Sequence, residues 1–77
     1  MSEERYALDM TSAAKFIGVS RRTLSRLVSS HRIPRPFALG GKHMFRTADL
    51  RHWIDLSAKR GEALGRAEFE RITGASQ

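Results

Sequence analysis

The sequence has no cysteine, no long apolar run and no acidic residue between Asp9 and Asp49. The absence of cysteine excludes disulfides and thiolate metal sites, and His31, His43 and His52 lack the close spacing of zinc ligands. We therefore expect no metal and no cofactor. No stretch approaches the roughly 20 apolar residues of a membrane span, and the first residues lack a signal-peptide core. These absences predict a soluble, cytoplasmic protein without membrane partners.

An enzyme is also disfavoured, because 77 residues form one small domain with little volume for a substrate pocket. The pair Gly40-Gly41 lacks the Lys-Ser/Thr of a phosphate-binding loop. The densest carboxylates are Glu62, Glu68 and Glu70, and Glu62 has the i, i+4 spacing to Arg66 of a salt pair on a solvated helix. We expect no catalytic site.

The positive charge is concentrated in one stretch. Between Asp9 and Asp49 lie eight basic residues and no acidic one, whereas the flanks carry six basic and eight acidic residues. The eight are Lys15, Arg21, Arg22, Arg26, Arg32, Arg35, Lys42 and Arg46. Such a surface attracts polyanions, of which double-stranded DNA is the commonest candidate. The alternatives are a merely solvated basic face and a protein-interaction adaptor that binds an acidic partner.

Apolar residues predict three helices, spaced i, i+1 and i+4 in the first and i, i+3 and i+4 in the other two. The first is capped by Thr11 and ended by Gly18, the second runs from Arg21 to Ser30 after the cap Ser20, and the third runs from Thr47 to Gly61. Their apolar stripes are Ala13, Ala14 and Ile17; Leu24, Leu27 and Val28; and Leu50, Trp53 and Ile54. We expect Trp53, Phe16, Phe37 and Phe45 in the core rather than on a base-stacking platform.

Two short apolar pieces, residues 37–39 and 43–45, flank Gly40-Gly41-Lys42 and predict a β-hairpin. The predicted fold is mainly α with a small β-hairpin, a winged helix-turn-helix. Residues 1–7 would form a flexible N-terminal arm and residues 8–60 the folded domain. Residues 61–77 leave three possibilities open: a disordered tail, a packed short helix, or an arm that meets a partner. Gly65 would cost a helix there up to about 1 kcal/mol.

The spacing of Ala14, Gly18 and Leu24 suits two helices that cross steeply at a tight turn. Ala14 allows close approach, Gly18 permits the turn, and Leu24 fills the space between the helices. This is the geometry of a helix-turn-helix unit, whose second helix enters the major groove of DNA. The first turn of that second helix carries Arg21 and Arg22.

Residues 11–27 resemble the opening of the AlpA and excisionase family, small winged helix-turn-helix proteins of phages and mobile elements related in architecture to MerR-type domains. The resemblance continues through Ile33-Pro34, Gly40-Gly41-Lys42 and residues 45–54, and it covers about residues 8–57. It implies sequence-specific binding of double-stranded DNA. The role would be either a transcription regulator or an excisionase that bends DNA for an integrase. Partners would be DNA, further copies of the chain, and an integrase or RNA polymerase.

The candidate DNA-binding residues of the second helix are Ser20, Arg21, Arg22, Ser25 and Arg26. Arg21 and Arg22 would bond guanine O6 and N7, or else grip phosphates only. Ser25 would reach a base edge and Arg26 the backbone, while Ser20 combines capping with phosphate binding.

Outside that helix, Ser12 is a candidate phosphate ligand at a helix N-terminus. The resemblance assigns Lys42 and His43, at the wing tip, to the DNA backbone or minor groove, and a solvated turn is the alternative. Arg46 would either hold phosphate or pair with Asp49. Arg32 and Arg35 would add diffuse charge.

Overall fold

The structure, a computed structural model, describes residues 6–74. Within this range the chain folds into four helices and three short strands, so the predicted winged helix-turn-helix class is confirmed. In chain order they are β1 (Ala7–Leu8), α1 (Met10–Ile17), α2 (Arg21–Ser29), β2 (Phe37–Leu39), β3 (Lys42–Arg46), α3 (Thr47–Arg60) and α4 (Arg66–Thr73). No helix in this range is long and apolar enough to cross a membrane.

The turn between α1 and α2 is built from capping interactions. Gly18 adopts φ +85°, and the amides of Gly18 and Val19 donate to the carbonyls of Lys15 and Ala14, which makes a Schellman motif. At the start of α2, Ser20 Oγ accepts a 3.1 Å bond from the amide of Thr23. The predicted stop and the predicted second cap are both confirmed.

The predicted cap of α1 was wrong. The helix begins at Met10, and Asp9 caps it by accepting a 2.8 Å hydrogen bond at Oδ1 from the amide of Ser12. Thr11 lies inside the first turn instead. Aspartate and threonine are both good caps, and the carboxylate also favours the positive end of the helix dipole.

The three strands form one antiparallel sheet in the order β1-β3-β2. Leu39 pairs with Lys42 across the turn, and Gly40 and Gly41 have φ of +60° and +82°, as the predicted two-residue hairpin requires. Strand β1 lies on the other side of β3, where Leu8 pairs with Phe45. Ala7, the last residue of the expected flexible arm, lies in β1, and residues 1–5 are outside the described range.

One apolar core joins the helices to the inner face of the sheet. Its buried members come from every helix and from β1, β3 and two connecting segments: Leu8, Ala13, Ala14, Leu24, Ile33, Phe45, Leu50, Trp53, Leu64 and Phe69. The predicted burial of Trp53 and Phe45 is confirmed. The buried Nε1 of Trp53 donates a 3.0 Å hydrogen bond to the carbonyl of Leu64, so this polar group is satisfied.

The prediction that Phe16 and Phe37 belong to the core was wrong, since they are 41% and 37% exposed. Phe37 pairs with Met44, the neighbour of buried Phe45 in β3. Because successive strand residues face opposite sides, Phe37 lies on the outer face of the sheet. Phe16 lies outside the stripe of Ala13, Ala14 and Ile17 that packs inward on α1.

Within the C-terminal segment, Arg66–Thr73 form the packed helix α4, one of the three possibilities left open for residues 61–77, of which residues 75–77 lie outside the described range. Gly65 is the N-cap of α4 rather than an interior residue, so the helix does not incur the expected glycine cost. Glu62 precedes α4 and therefore does not form the expected helical salt pair with Arg66, its first residue. Glu68 pairs instead with Arg60 of α3, which raises the pKa of that guanidinium.

Candidate nucleic-acid interface

The outward face of α2 is basic and solvent-exposed. Leu24 is buried, while Arg21, Arg22, Ser25 and Arg26 are all exposed. This division follows from the helical period, because Leu24 with the half-buried Leu27 and Val28 turns one stripe toward the core. The predicted orientation of the four candidates on α2 is therefore confirmed, whereas their contacts with DNA stay predictions.

The charges on α2 oppose the local preferences of a helix. Its first turn has no acidic residue, and it places Arg21 and Arg22 at the positive end of the helix dipole. Arg22 and Arg26 are also spaced i, i+4, where like charges repel by about 0.2–0.5 kcal/mol. Among the described residues, no carboxylate lies within ion-pair distance of these three arginines. A bound polyanion would relieve this repulsion.

Ser20, the fifth candidate of this helix, is occupied with the helix start. Its Oγ accepts from the amide of Thr23 and lies 3.0 Å from Thr23 Oγ1. The capping role is thus confirmed. Both hydroxyls are exposed, so they remain accessible to a phosphate next to Arg21.

The wing tip and the start of α2 share one cleft. Its volume is about 370 Å³, and Arg21 lines it together with Gly41, Lys42 and His43 of the hairpin and with Asp9, Met10 and Thr11. Arg21 and Lys42, which lie far apart in the sequence, therefore line the same cleft. A second, separate hollow of about 450 Å³ lies further along α2 and is lined by Ser25, Arg26, Ser29 and Ser30.

Two predicted site residues lie apart from this cleft. Arg46 is at the other end of β3 from Lys42, about 13 Å away at the rise of an antiparallel strand. Its Nη1 lies 3.4 Å from Asp49 Oδ1. Arg46 therefore pairs with Asp49, the second of the two roles predicted for it. Ser12 is half-buried and does not line the cleft, and its amide already donates to the carboxylate of Asp9.

Thr11 and Asp9 also line this cleft, although neither was predicted as a site residue. Thr11 was assigned to the cap, and Asp9 was counted only as the boundary of the acid-free stretch. The donor to Asp9 is the backbone amide of Ser12, which almost any residue at that position would supply, so the sequence carries no signal that selects Asp9 over Thr11 as the cap. The Asp9 carboxylate brings one negative charge into the cleft and limits how closely a phosphate approaches the start of α1.

Arg32 and Arg35 do not supply only diffuse charge. Arg32 Nη1 donates to the carbonyl of Ala63 at 3.2 Å, and Arg35 Nε lies 3.6 Å from Glu70 Oε2. Both residues therefore connect the segment after α2 to the C-terminal part of the chain. Across residues 6–74, no three histidine or acidic side chains are grouped as ligands for a metal ion.

Comparison with known families agrees with this geometry. The model of the helix-turn-helix domain family matches residues 7–55, which include β1, α1, α2, the wing and most of α3. Searches of curated proteins and of solved structures returned no significant match. The family match spans more than half of the chain and includes both crossing helices. The chain therefore belongs to the helix-turn-helix domain family, of the excisionase and AlpA type, and is a DNA-binding helix-turn-helix protein.

Proposed function

We propose that this protein binds double-stranded DNA at specific sequences, as a transcription regulator or excisionase of phage or mobile-element type. In the excisionase role it would bend DNA for an integrase and would itself catalyse nothing. The observation that carries the proposal is the cluster of three exposed arginines on α2, Arg21, Arg22 and Arg26, which have no carboxylate partner within residues 6–74. The first of them shares a cleft with the wing tip.

In this proposal α2 lies in the major groove and the wing contacts the adjacent backbone or minor groove. Arg22 and Arg21 read guanines through bidentate hydrogen bonds, each discriminating by roughly 1–3 kcal/mol. Ser25 reaches a base edge, and Arg26, Ser20, Lys42 and His43 hold the backbone. Arg46 and Ser12 are secondary phosphate ligands, since Asp49 and Asp9 already engage them.

Selection from random duplex DNA at about 150 mM salt, near the physiological value, tests specific readout. We expect one recovered motif. Arg22→Ala should then raise the Kd for that motif by roughly tenfold or more and relax the base preference at one position. Arg71→Ala is the matched control, because it removes the same charge from an exposed position on α4. Equal Kd values for the two variants would contradict the assigned role of Arg22.

The number and spacing of recovered sites separate the two roles. Repeated, closely spaced sites with cooperative filling and a large bend would favour an excisionase, with an integrase as partner. Isolated or palindromic sites that overlap a promoter would favour a regulator that acts on RNA polymerase. Either role places the protein on DNA in the cytoplasm. Recovery of no motif, with weak binding that salt abolishes, would support an adaptor that binds an acidic protein.

A further inference from the structure

The C-terminal part of the chain lies against the segment that connects α2 to the wing. This connecting segment, residues 30–36, receives two hydrogen bonds from one residue, Arg66. The backbone amide of Arg66 donates to the carbonyl of His31 at 2.8 Å, and its Nε donates to the carbonyl of Ile33 at 3.2 Å. The bond from Arg32 to the Ala63 carbonyl runs in the opposite direction across the same contact.

The connecting segment has few internal means of holding its shape. Pro34 and Pro36 have no amide hydrogen, so they cannot donate to a neighbouring strand. His31 has φ +58°, an uncommon conformation for a residue with a side chain. Its position after α2 is the C′ site of a Schellman motif, in which its amide donates to Val28 and that of Arg32 to Leu27. The donors to His31 and Ile33 therefore act together with the burial of the Ile33 side chain to hold the chain between α2 and the wing.

The residues on either side of Arg66 are anchored to α3 and to the core. Leu64 is buried, its carbonyl accepts from Trp53 Nε1 at 3.0 Å, and its amide donates to Ser57 Oγ at 3.1 Å. Phe69, one turn into α4, is also buried. Arg66 therefore links the connecting segment to α3. Burial lowers the pKa of the Arg66 guanidinium and nearby Arg35 lowers it further, while Glu70 opposes both.

We propose that Arg66 is a positioning residue that fixes the wing relative to α2 and thereby sets the sequence selectivity of DNA binding. The selectivity part rests on the proposed function, whereas the positioning part does not. The family match ends at residue 55, so the donor Arg66 lies outside the part of the chain shared with the family, whereas its acceptors His31 and Ile33 lie inside it. Selectivity depends on positioning because α2 and the wing must reach their contacts on one duplex simultaneously.

Binding measurements test the consequence for DNA. Arg66→Met keeps the aliphatic stem and removes the donor to Ile33, and Arg71→Met removes the same charge from an exposed position. We expect Arg66→Met to raise the Kd for the selected motif about tenfold, the loss typical of a charge-assisted hydrogen bond. Both variants should bind random duplex equally, because nonspecific binding does not fix the register of α2 on the DNA and so does not require the wing at one set position. An equal change in Kd for the motif would overturn the selectivity part.

A double-mutant cycle separates positioning from a general loss of stability. If Arg66 places the wing, Lys42→Ala should weaken motif binding less in the Arg66→Met protein than in the unmodified one. The effect of Arg22→Ala should be the same in both, because α2 stays in place. An unchanged effect of Lys42→Ala would show that the wing does not depend on Arg66.

Spin-label distances decide the positioning part without DNA. Because the chain has no cysteine, Ser29→Cys on α2 and Ala38→Cys on the wing give one labelled pair at positions outside the candidate DNA contacts. The distance distribution should broaden in Arg66→Met and not in Arg71→Met. If Arg66→Met unfolds, Arg66→Lys decides by the same criterion, since it keeps the charge and the backbone bond. An unchanged distribution in a folded variant overturns positioning, whereas failure of the unmodified protein to bind any motif refutes only the proposed function.

Discussion

Gly18, at the turn between α1 and α2, offers the sharpest test of how the two helices are held. Its φ is +85°, and a Cβ built at this position meets no atom within 4 Å. A side chain therefore fits in space, and the cost of Gly18→Ala is purely one of backbone conformation. The left-handed region costs an L-residue roughly 1–2 kcal/mol. Alanine also lowers the conformational entropy of the unfolded chain, which offsets about 0.4–1 kcal/mol of this cost. We therefore expect the free energy of unfolding to fall by about 1 kcal/mol.

Substitutions at Gly18 should follow the order of left-handed tolerance. Asparagine, which tolerates this conformation, should cost least, alanine more, and the β-branched valine most. In urea unfolding the midpoint should fall while the slope stays constant. A loss of about 1 kcal/mol corresponds to a melting temperature lower by roughly 4–8 °C for a domain of this size.

Gly65→Ala is the matched control for this series. Gly65 caps α4 at φ −71°, so the same exchange requires no left-handed residue there. Any loss there should come from the cap alone, roughly 0.5–1 kcal/mol, because alanine is a poorer N-cap than glycine, and asparagine at this position should remove it. A Gly18→Ala protein as stable as the unmodified one would refute the conformational reasoning. Equal stability of the Gly18→Asn and Gly18→Val proteins would refute it as well, because steric fit rather than φ would then be the controlling factor.

Further substitutions test the wing and the packing around the C-terminal helix. Lys42→Ala should weaken binding to every duplex alike and flatten the plot of log K against log salt by about one unit; a loss confined to one sequence would contradict a backbone contact. Trp53→Phe should lower the free energy of unfolding by about 1–3 kcal/mol in urea, because it leaves the Leu64 carbonyl without its donor. Phe69→Ala should cost about 3–5 kcal/mol, since the ring is buried, and an unchanged midpoint would mean that α4 is not part of the core. His31→Gly should leave stability unchanged or raise it by up to about 1 kcal/mol, which thermal melting would detect, because glycine adopts φ +58° without strain.

Much of the fold could be predicted because its signals are local. Gly18, Ser20 and Gly61 mark helix ends through their own backbone and side-chain chemistry, independently of the rest of the molecule. The hairpin was likewise predictable from Gly40-Gly41, where both residues need positive φ. The cap of α1 was missed because Asp9 and Thr11 are both acceptable caps two residues apart, and local preference alone does not choose between them.

The candidate site could be predicted in part. The helical period alone placed Arg21, Arg22 and Arg26 on the exposed side of α2. The meeting of Arg21 with the wing tip depends on how β3 packs against α1, so no spacing in the sequence reveals it. The contact of Arg35 with Glu70 was hidden for the same reason, since the two residues lie far apart along the chain.

The sequence by itself determined the order of α1, α2, the hairpin and α3, and it concentrated the positive charge on one stretch. These features depend on short-range periodicity, caps and composition. Only the tertiary structure decided that Phe37 stays on the outer face of the sheet, that α4 packs through Phe69, and that Arg66 bonds to the segment before the wing. Each of these outcomes depends on which surfaces meet once the helices and strands have formed, and a pattern of neighbouring residues does not encode that meeting.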